Sequence, residues 1–132
     1  MDMVITFPGN KRVDAAYKGF TVHTDQPLNE GGDNTAPEPF DLFLASIGAC
    51  AGIYVSSFCQ ERGIDITDLK IILSFQRNSA TWMVEQIDIH IELPAGFPEK
   101  YRAAVIRSAG MCFVKKHLTN PPQFRFSTSV GE

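Results

Sequence analysis

No run of basic residues in this 132-residue chain exceeds Lys115-Lys116. Lys and Arg total 12 against 15 Asp and Glu, a formal net charge of −3. A basic stripe that would track a phosphate backbone is therefore absent, and nucleic acid is not an expected partner. Cysteine is scarce, at 3. That number is odd and far below the density of a disulfide scaffold, so free thiols in a reducing, cytoplasmic setting are expected. The start, Met1-Asp2-Met3-Val4, carries neither a basic region nor a long apolar one, and no secretory signal is read there. No P-loop, no GxGxxG and no GxSxG occurs. Cys112 and His117 have no second pair of ligands, and His23 and His90 fall on strand patterns, so neither a metal nor a cofactor is expected.

What remains is the composition of an ordinary soluble domain, 44% hydrophobic and 20% charged. One domain over residues 1–132 is expected, large enough to bury about two-thirds of its unfolded surface. Met3 to Phe7, Val13 to Tyr17 and Phe20 to Thr24 read as strands, the last two joined at Lys18-Gly19. Gln26 to Pro39 holds Pro27, Gly31-Gly32, Asp33-Asn34 and Pro37, and reads as a long loop that could wall a site. Leu69 to Phe75 and Trp82 to Leu93 read as an antiparallel pair turning near Asn78-Ser79. Phe97 to about Met111 reads as a helix, Cys112 to Leu118 as a short one, and Phe124 to Val130 as a last strand. Strands, long helix, two strands, helix, strand make an α+β chain with antiparallel pairing.

The long helix, Phe40 to Arg62, is the strongest single element. Leu42 to Gln60 carries no charge, which brushes the length of a membrane span. Ser46, Ser56, Ser57, Gln60 and two glycines make it too polar for one, and a buried core helix with no membrane partner is the better reading. Ala45, Gly48, Ala49, Gly52 and Ser56 form a small-residue stripe at helical spacing. Such a stripe admits a close neighbour, either packing within the chain or a helix across a dimer, and another helix is the expectation.

Cys50 and Cys59 lie nine residues apart on this helix, on opposite faces at about 100° per residue. Cys50 shares its face with Phe43, Ile47 and Tyr54. Each thiol, taken alone, is more often a small hydrophobe than a reagent. Cys112 opens a segment with Lys115 and Lys116 nearby at a helix start, features that favour a thiolate; the competing reading is a solvated basic turn.

The run Glu30-Gly31-Gly32-Asp33-Asn34-Thr35-Ala36-Pro37-Glu38-Pro39-Phe40-Asp41-Leu42 and on through Gly48-Ala49-Cys50 resembles the loop, helix and cysteine signature of OsmC/Ohr-like proteins. Phe58-Cys59-Gln60-Glu61-Arg62-Gly63 continues the likeness, as do Cys112, Val114 and Leu118. The resemblance implies an α+β OsmC-like fold, with antiparallel strands around a long buried helix carrying Cys50, in an intertwined homodimer. It also implies thiol peroxidase activity toward hydroperoxides in an oxidative stress response. Cys50 would be the peroxidatic thiol, Cys112 the resolving thiol, and an external dithiol the reductant. Arg12 would supply the activating cation. The family places a Glu where this chain has Phe40; Glu38 stands two residues away and Asp41 one. Glu38 is the expected substitute. Phe40, Phe43, Ile47 and Tyr54 are the expected substrate pocket. The alternative is an OsmC-like dimer with an altered site, handling an apolar ligand or sulfur with little peroxidase activity.

Overall fold

The computed structural model describes residues 1–131. The chain divides into two compact units, Met1–Ser46 and the stretch from Ile47 onward, with the boundary inside one helix.

The first unit is built on a three-stranded antiparallel sheet, β1 (Val4–Gly9), β2 (Arg12–Tyr17) and β3 (Phe20–Thr24), in that spatial order. Tyr17 pairs with Phe20 across Lys18-Gly19. Both turn residues have positive φ, 51° and 80°, the geometry that matches the strand twist in a two-residue hairpin and that glycine adopts without strain. Ile5, Ala15 and Val22 stand opposite one another and share a face. The segment after β3 folds back on itself instead of sprawling. Asp25 donates its amide to the Pro37 carbonyl at 3.1 Å, and Asn34 donates to Gln26 at 3.0 Å. The buried Asp25 carboxylate accepts from the Thr35 hydroxyl at 2.7 Å, the Thr35 amide at 3.0 Å and the Gln26 amide at 2.7 Å. The Thr35 bonds, the hydroxyl first, hold its pKa at about 2 against the opposing effect of burial. A Cβ on Gly32 would lie 2.0 Å from the Gln26 carbonyl oxygen, so the fold of this loop requires glycine there.

The helix α1 (Pro39–Glu61) begins with Pro39 in its first turn, where a missing N–H costs nothing. Asp41 accepts the Glu38 amide at 3.1 Å, closing the helix start. At the other end, Ile64 donates to Cys59 and Gly63 donates to Gln60, with Gly63 at φ 65°. This is a Schellman stop.

In the second unit, β4 (Lys70–Arg77) and β5 (Val84–Glu92) form an antiparallel hairpin with Ile71 opposite Ile91, Leu73 opposite Ile89 and Phe75 opposite Ile87. The turn falls at Asn78, whose side chain accepts the amides of Ala80 and Thr81. A 3₁₀ turn (Glu99–Tyr101) leads into α2 (Arg102–Ala109), and α3 (Phe113–Thr119) follows. The core of this unit joins Ala51, Val55 and Cys59 of α1 to Val105 and Ala109 of α2, with Ile71 and Ile91 of the hairpin packed against them. The helix long enough to span a bilayer is thus the core helix.

Within the chain, the two glycines of the small-residue stripe meet a strand: a Cβ on Gly48 would lie 3.1 Å from Leu73 Cδ1, and one on Gly52 3.9 Å from Ile71 Cδ1. Glycine at 48 lets the leucine side chain of β4 press onto the helix backbone. One expectation is corrected, the last strand. Residues 124–130 pair with no other strand among the described residues, and Phe124, Phe126 and Val130 are 76%, 93% and 96% exposed. Alternation marks a segment able to join a sheet, but strand formation also needs a free neighbouring edge.

Candidate active site

The site lies where α3 starts. Cys112 is its N-cap residue: the Sγ accepts from the Lys115 amide at 3.5 Å. That sulfur also contacts α1, donating its proton to the Ile47 carbonyl at 3.8 Å. Ile47 precedes Cys50 by one turn, so the head of α3 and the two thiols meet within the second unit.

Cys112 is buried and Cys50 half-buried, and neither is in a disulfide. The Cys50 thiol is held below the usual thiol range. The largest cause is the Val114 amide, aimed at its sulfur; burial opposes this, and the Cys112 side chain and the Phe113 amide add to the lowering. These donors prefer the anion, so they favour a thiolate at Cys50. Cys59 behaves in the opposite way. It is fully buried in the core, and burial pushes its thiol up, with the Arg62 charge partly offsetting this. Arg62 itself donates to the Phe58 carbonyl and lies over the Phe58 ring, 3.7 Å from its centroid.

A cavity of about 790 Å³ opens beside Cys112 in the same unit. Ile89 and Ile91 form one wall and Val105 and Ile106 the other, with Ile47 and Cys112 at the lining and Lys115 also present. Of the expected pocket residues, Ile47 lines this cavity.

Tyr54, half-buried, lies on the part of α1 that belongs to the second unit, whereas Arg12, Glu38, Phe40 and Phe43 belong to the first. Arg12 Nη1 lies 3.9 Å from Asp33 Oδ2. Asn10 Nδ2 donates to the same carboxylate at 3.2 Å and to the Gly31 carbonyl at 3.0 Å. Glu38 immediately precedes α1, its carbonyl accepting the Leu42 amide. Phe40 stacks on Phe43 with ring centroids 5.4 Å apart. The structure therefore brings together Cys50, Cys112 and Ile47, and adds the amides of Phe113 and Val114, which residue identity alone does not reveal. The available signal was Cys112 at a helix start. The same helix start serves both thiols: the Lys115 amide bonds the Cys112 sulfur, and the Val114 and Phe113 amides act on Cys50. Among the described residues, no group of three or more His, Cys, Asp or Glu could hold a metal ion.

None of the curated proteins matches the chain. Among solved structures it is similar to a protein of Psychrobacter arcticus 273-4 assigned to the osmotic stress and detoxification response, at 22% identity and TM-score 0.73 over 86% of this chain and 85% of that one. An OsmC-like protein from Mycoplasma pneumoniae gives 15% identity and TM-score 0.70 over 91% and 87%. A Legionella pneumophila organic hydroperoxide resistance protein, OsmC, gives 16% and 0.52 over 89% of each. At these identities the likeness is one of fold, α+β with antiparallel strands and a long central helix. The family model described as OsmC-like protein matches residues 31–127, which takes in the second part of the folded-back loop, all of α1 and all three cysteines. This chain belongs to the OsmC-like family.

Proposed function

We propose that this chain is a dithiol hydroperoxide reductase acting on organic hydroperoxides, with Cys50 as the attacking thiol and Cys112 as the resolving one. The observation that carries the reading is the Cys112 thiol bonded to the Ile47 carbonyl, one helical turn before Cys50, and the lowering of the Cys50 thiol by the Val114 and Phe113 amides and the Cys112 side chain agrees with it. The Cys50 thiolate attacks the O–O bond; an S–O bond forms, the alkoxide leaves and takes a proton, and Cys50 becomes a sulfenic acid. The Cys112 sulfur then attacks Cys50, the S–S bond forms and water leaves. An external dithiol returns two electrons and two protons. In this reading Arg12 is the activating cation and Glu38 takes the role the family gives to its Glu. Phe40, Phe43, Ile47 and Tyr54 supply apolar surface for the alkyl part of the substrate, worth roughly 25 cal/mol per Å² buried.

The assembly is a homodimer in the cytoplasm. A second copy of the chain is the partner that covers the exposed apolar side chains Phe7, Phe20 and Phe126. A second reading rests on Phe40. An aromatic pair, Phe40 on Phe43, stands where the family carries a carboxylate. That favours binding of an apolar ligand, or sulfur handling, with little peroxide turnover.

A coupled assay with cumene hydroperoxide and with H2O2, using dithiothreitol as reductant, separates the two. The first reading expects turnover that is faster with the organic substrate and lost in Cys50→Ser. Absence of turnover with both peroxides supports the second.

A further inference from the structure

We infer that the cavity beside Cys112 is the port for the reducing dithiol, and that the reductant opens the oxidised pair by attacking the Cys112 sulfur, leaving Cys50 as the expelled thiolate. This rests on the dithiol reading above. Three observations converge on it. The cavity is lined by Cys112 but not by Cys50. At about 790 Å³ it falls within the range that holds small molecules. Its walls, Ile89 and Ile91 against Val105 and Ile106, suit an alkyl-borne thiol. Lys115 and Arg102 also stand at the lining, with Asp68, Glu92 and Glu99, so the rim carries charge of both signs and the apolar walls, not a net charge, suit the ligand.

The leaving group points the same way. In thiol–disulfide exchange a sulfur whose thiolate is stabilised by nearby donors leaves readily. When the reductant sulfur bonds to Cys112, the Cys50–Cys112 bond breaks and its electron pair stays on Cys50. There the Val114 and Phe113 amides receive the charge. The second thiol of the reductant, as thiolate, then attacks the reductant sulfur bound to Cys112. That bond breaks, Cys112 departs as a thiolate and takes up a proton released by the reductant. The reductant leaves as a cyclic disulfide, oxidised by two electrons.

The experiment uses the full chain with its disulfide formed by diamide, so that peroxide turnover is not needed. Brief exposure to 2-mercaptoethanol, quenched in acid with N-ethylmaleimide and followed by peptide mapping, reads which sulfur was attacked. The mercaptoethanol adduct is expected on Cys112 and the maleimide on Cys50. The reverse pattern overturns the proposal. Ile106→Trp, at a position 60% exposed and so tolerant of change, narrows the cavity. It should slow re-reduction by dithiothreitol at least tenfold while leaving maleimide labelling of reduced Cys50 unchanged; Ile89→Trp should do the same from the other wall. Unchanged re-reduction in both variants overturns the port. Failure of diamide to join Cys50 to Cys112 overturns port and dithiol reading together. Correct adduct placement without peroxide turnover leaves the route of attack standing and removes the peroxidase reading alone.

Discussion

The Cys112 thiol donates to the carbonyl of Ile47 at 3.8 Å, one helical turn before Cys50. That contact ties the start of α3 to the middle of α1 and puts the two sulfurs on one spot of the second unit. It also explains why the start of a seven-residue helix bears on a cysteine more than sixty positions away: Cys112 caps the helix, and the amides that follow it face Cys50.

The depressed Cys50 pKa has a sign that can be checked. A lowered thiol pKa means thiolate at pH values where an ordinary cysteine is protonated, and its stabilising contribution is lost as pH falls through the folded-state value. The rate of iodoacetamide labelling at Cys50 should therefore reach half its plateau below the pH found for a free thiol. Phe113→Pro is a mild probe. Proline suits the first helical position, and Cys112 at φ −48° and ψ 121° already has the extended backbone that precedes a proline. Losing the Phe113 amide should move the Cys50 midpoint upward, and the remaining Val114 donor should keep the move small.

Cys59 is predicted to matter for stability alone. It is fully buried in the α1–α2 core. Cys59→Ser places a hydroxyl there, at a cost of about 1–3 kcal/mol. Urea denaturation should show that loss, while peroxide turnover of the folded variant stays at the level of the parent.

The two helix glycines should respond differently to the same change. Gly52→Ala adds a methyl at ordinary contact distance, 3.9 Å from Ile71, and should stabilise by up to about 1 kcal/mol through helix propensity. Gly48→Ala puts its methyl 3.1 Å and 3.4 Å from the two Leu73 methyls, so the leucine must yield. Overpacking of about 1–3 kcal/mol offsets the propensity gain, and thermal denaturation should show no increase or a loss. Equal stabilisation by both would contradict the packing of β4 on the stripe.

Much of this was legible in the sequence, for identifiable reasons. Leu42 to Gln60 without a charge marked the core helix, and Gly63 marked its end. The alternation of Ile87, Ile89 and Ile91 marked β5. The OsmC-like motifs marked Cys50 and Cys112. What the sequence concealed depends on partners. The small stripe reports that something comes close, but a leucine on a strand and a neighbouring helix leave the same pattern. Phe124 to Val130 has strand alternation, yet alternation carries no information about which edge, in which copy, is available. The Val114 and Phe113 amides are backbone groups that every residue but proline carries, so no residue type betrays them. The expectation that a half-buried Cys50 needs a cation took account of charges and not of amides.

The most direct test of the central claim is peptide mapping after one equivalent of cumene hydroperoxide is added to the reduced protein. The account predicts a Cys50–Cys112 linked peptide with Cys59 still free to alkylate, and no link in Cys112→Ser, where Cys50 should stop at the sulfenic acid. Recovery of all three thiols unmodified, or a link that includes Cys59, would contradict it.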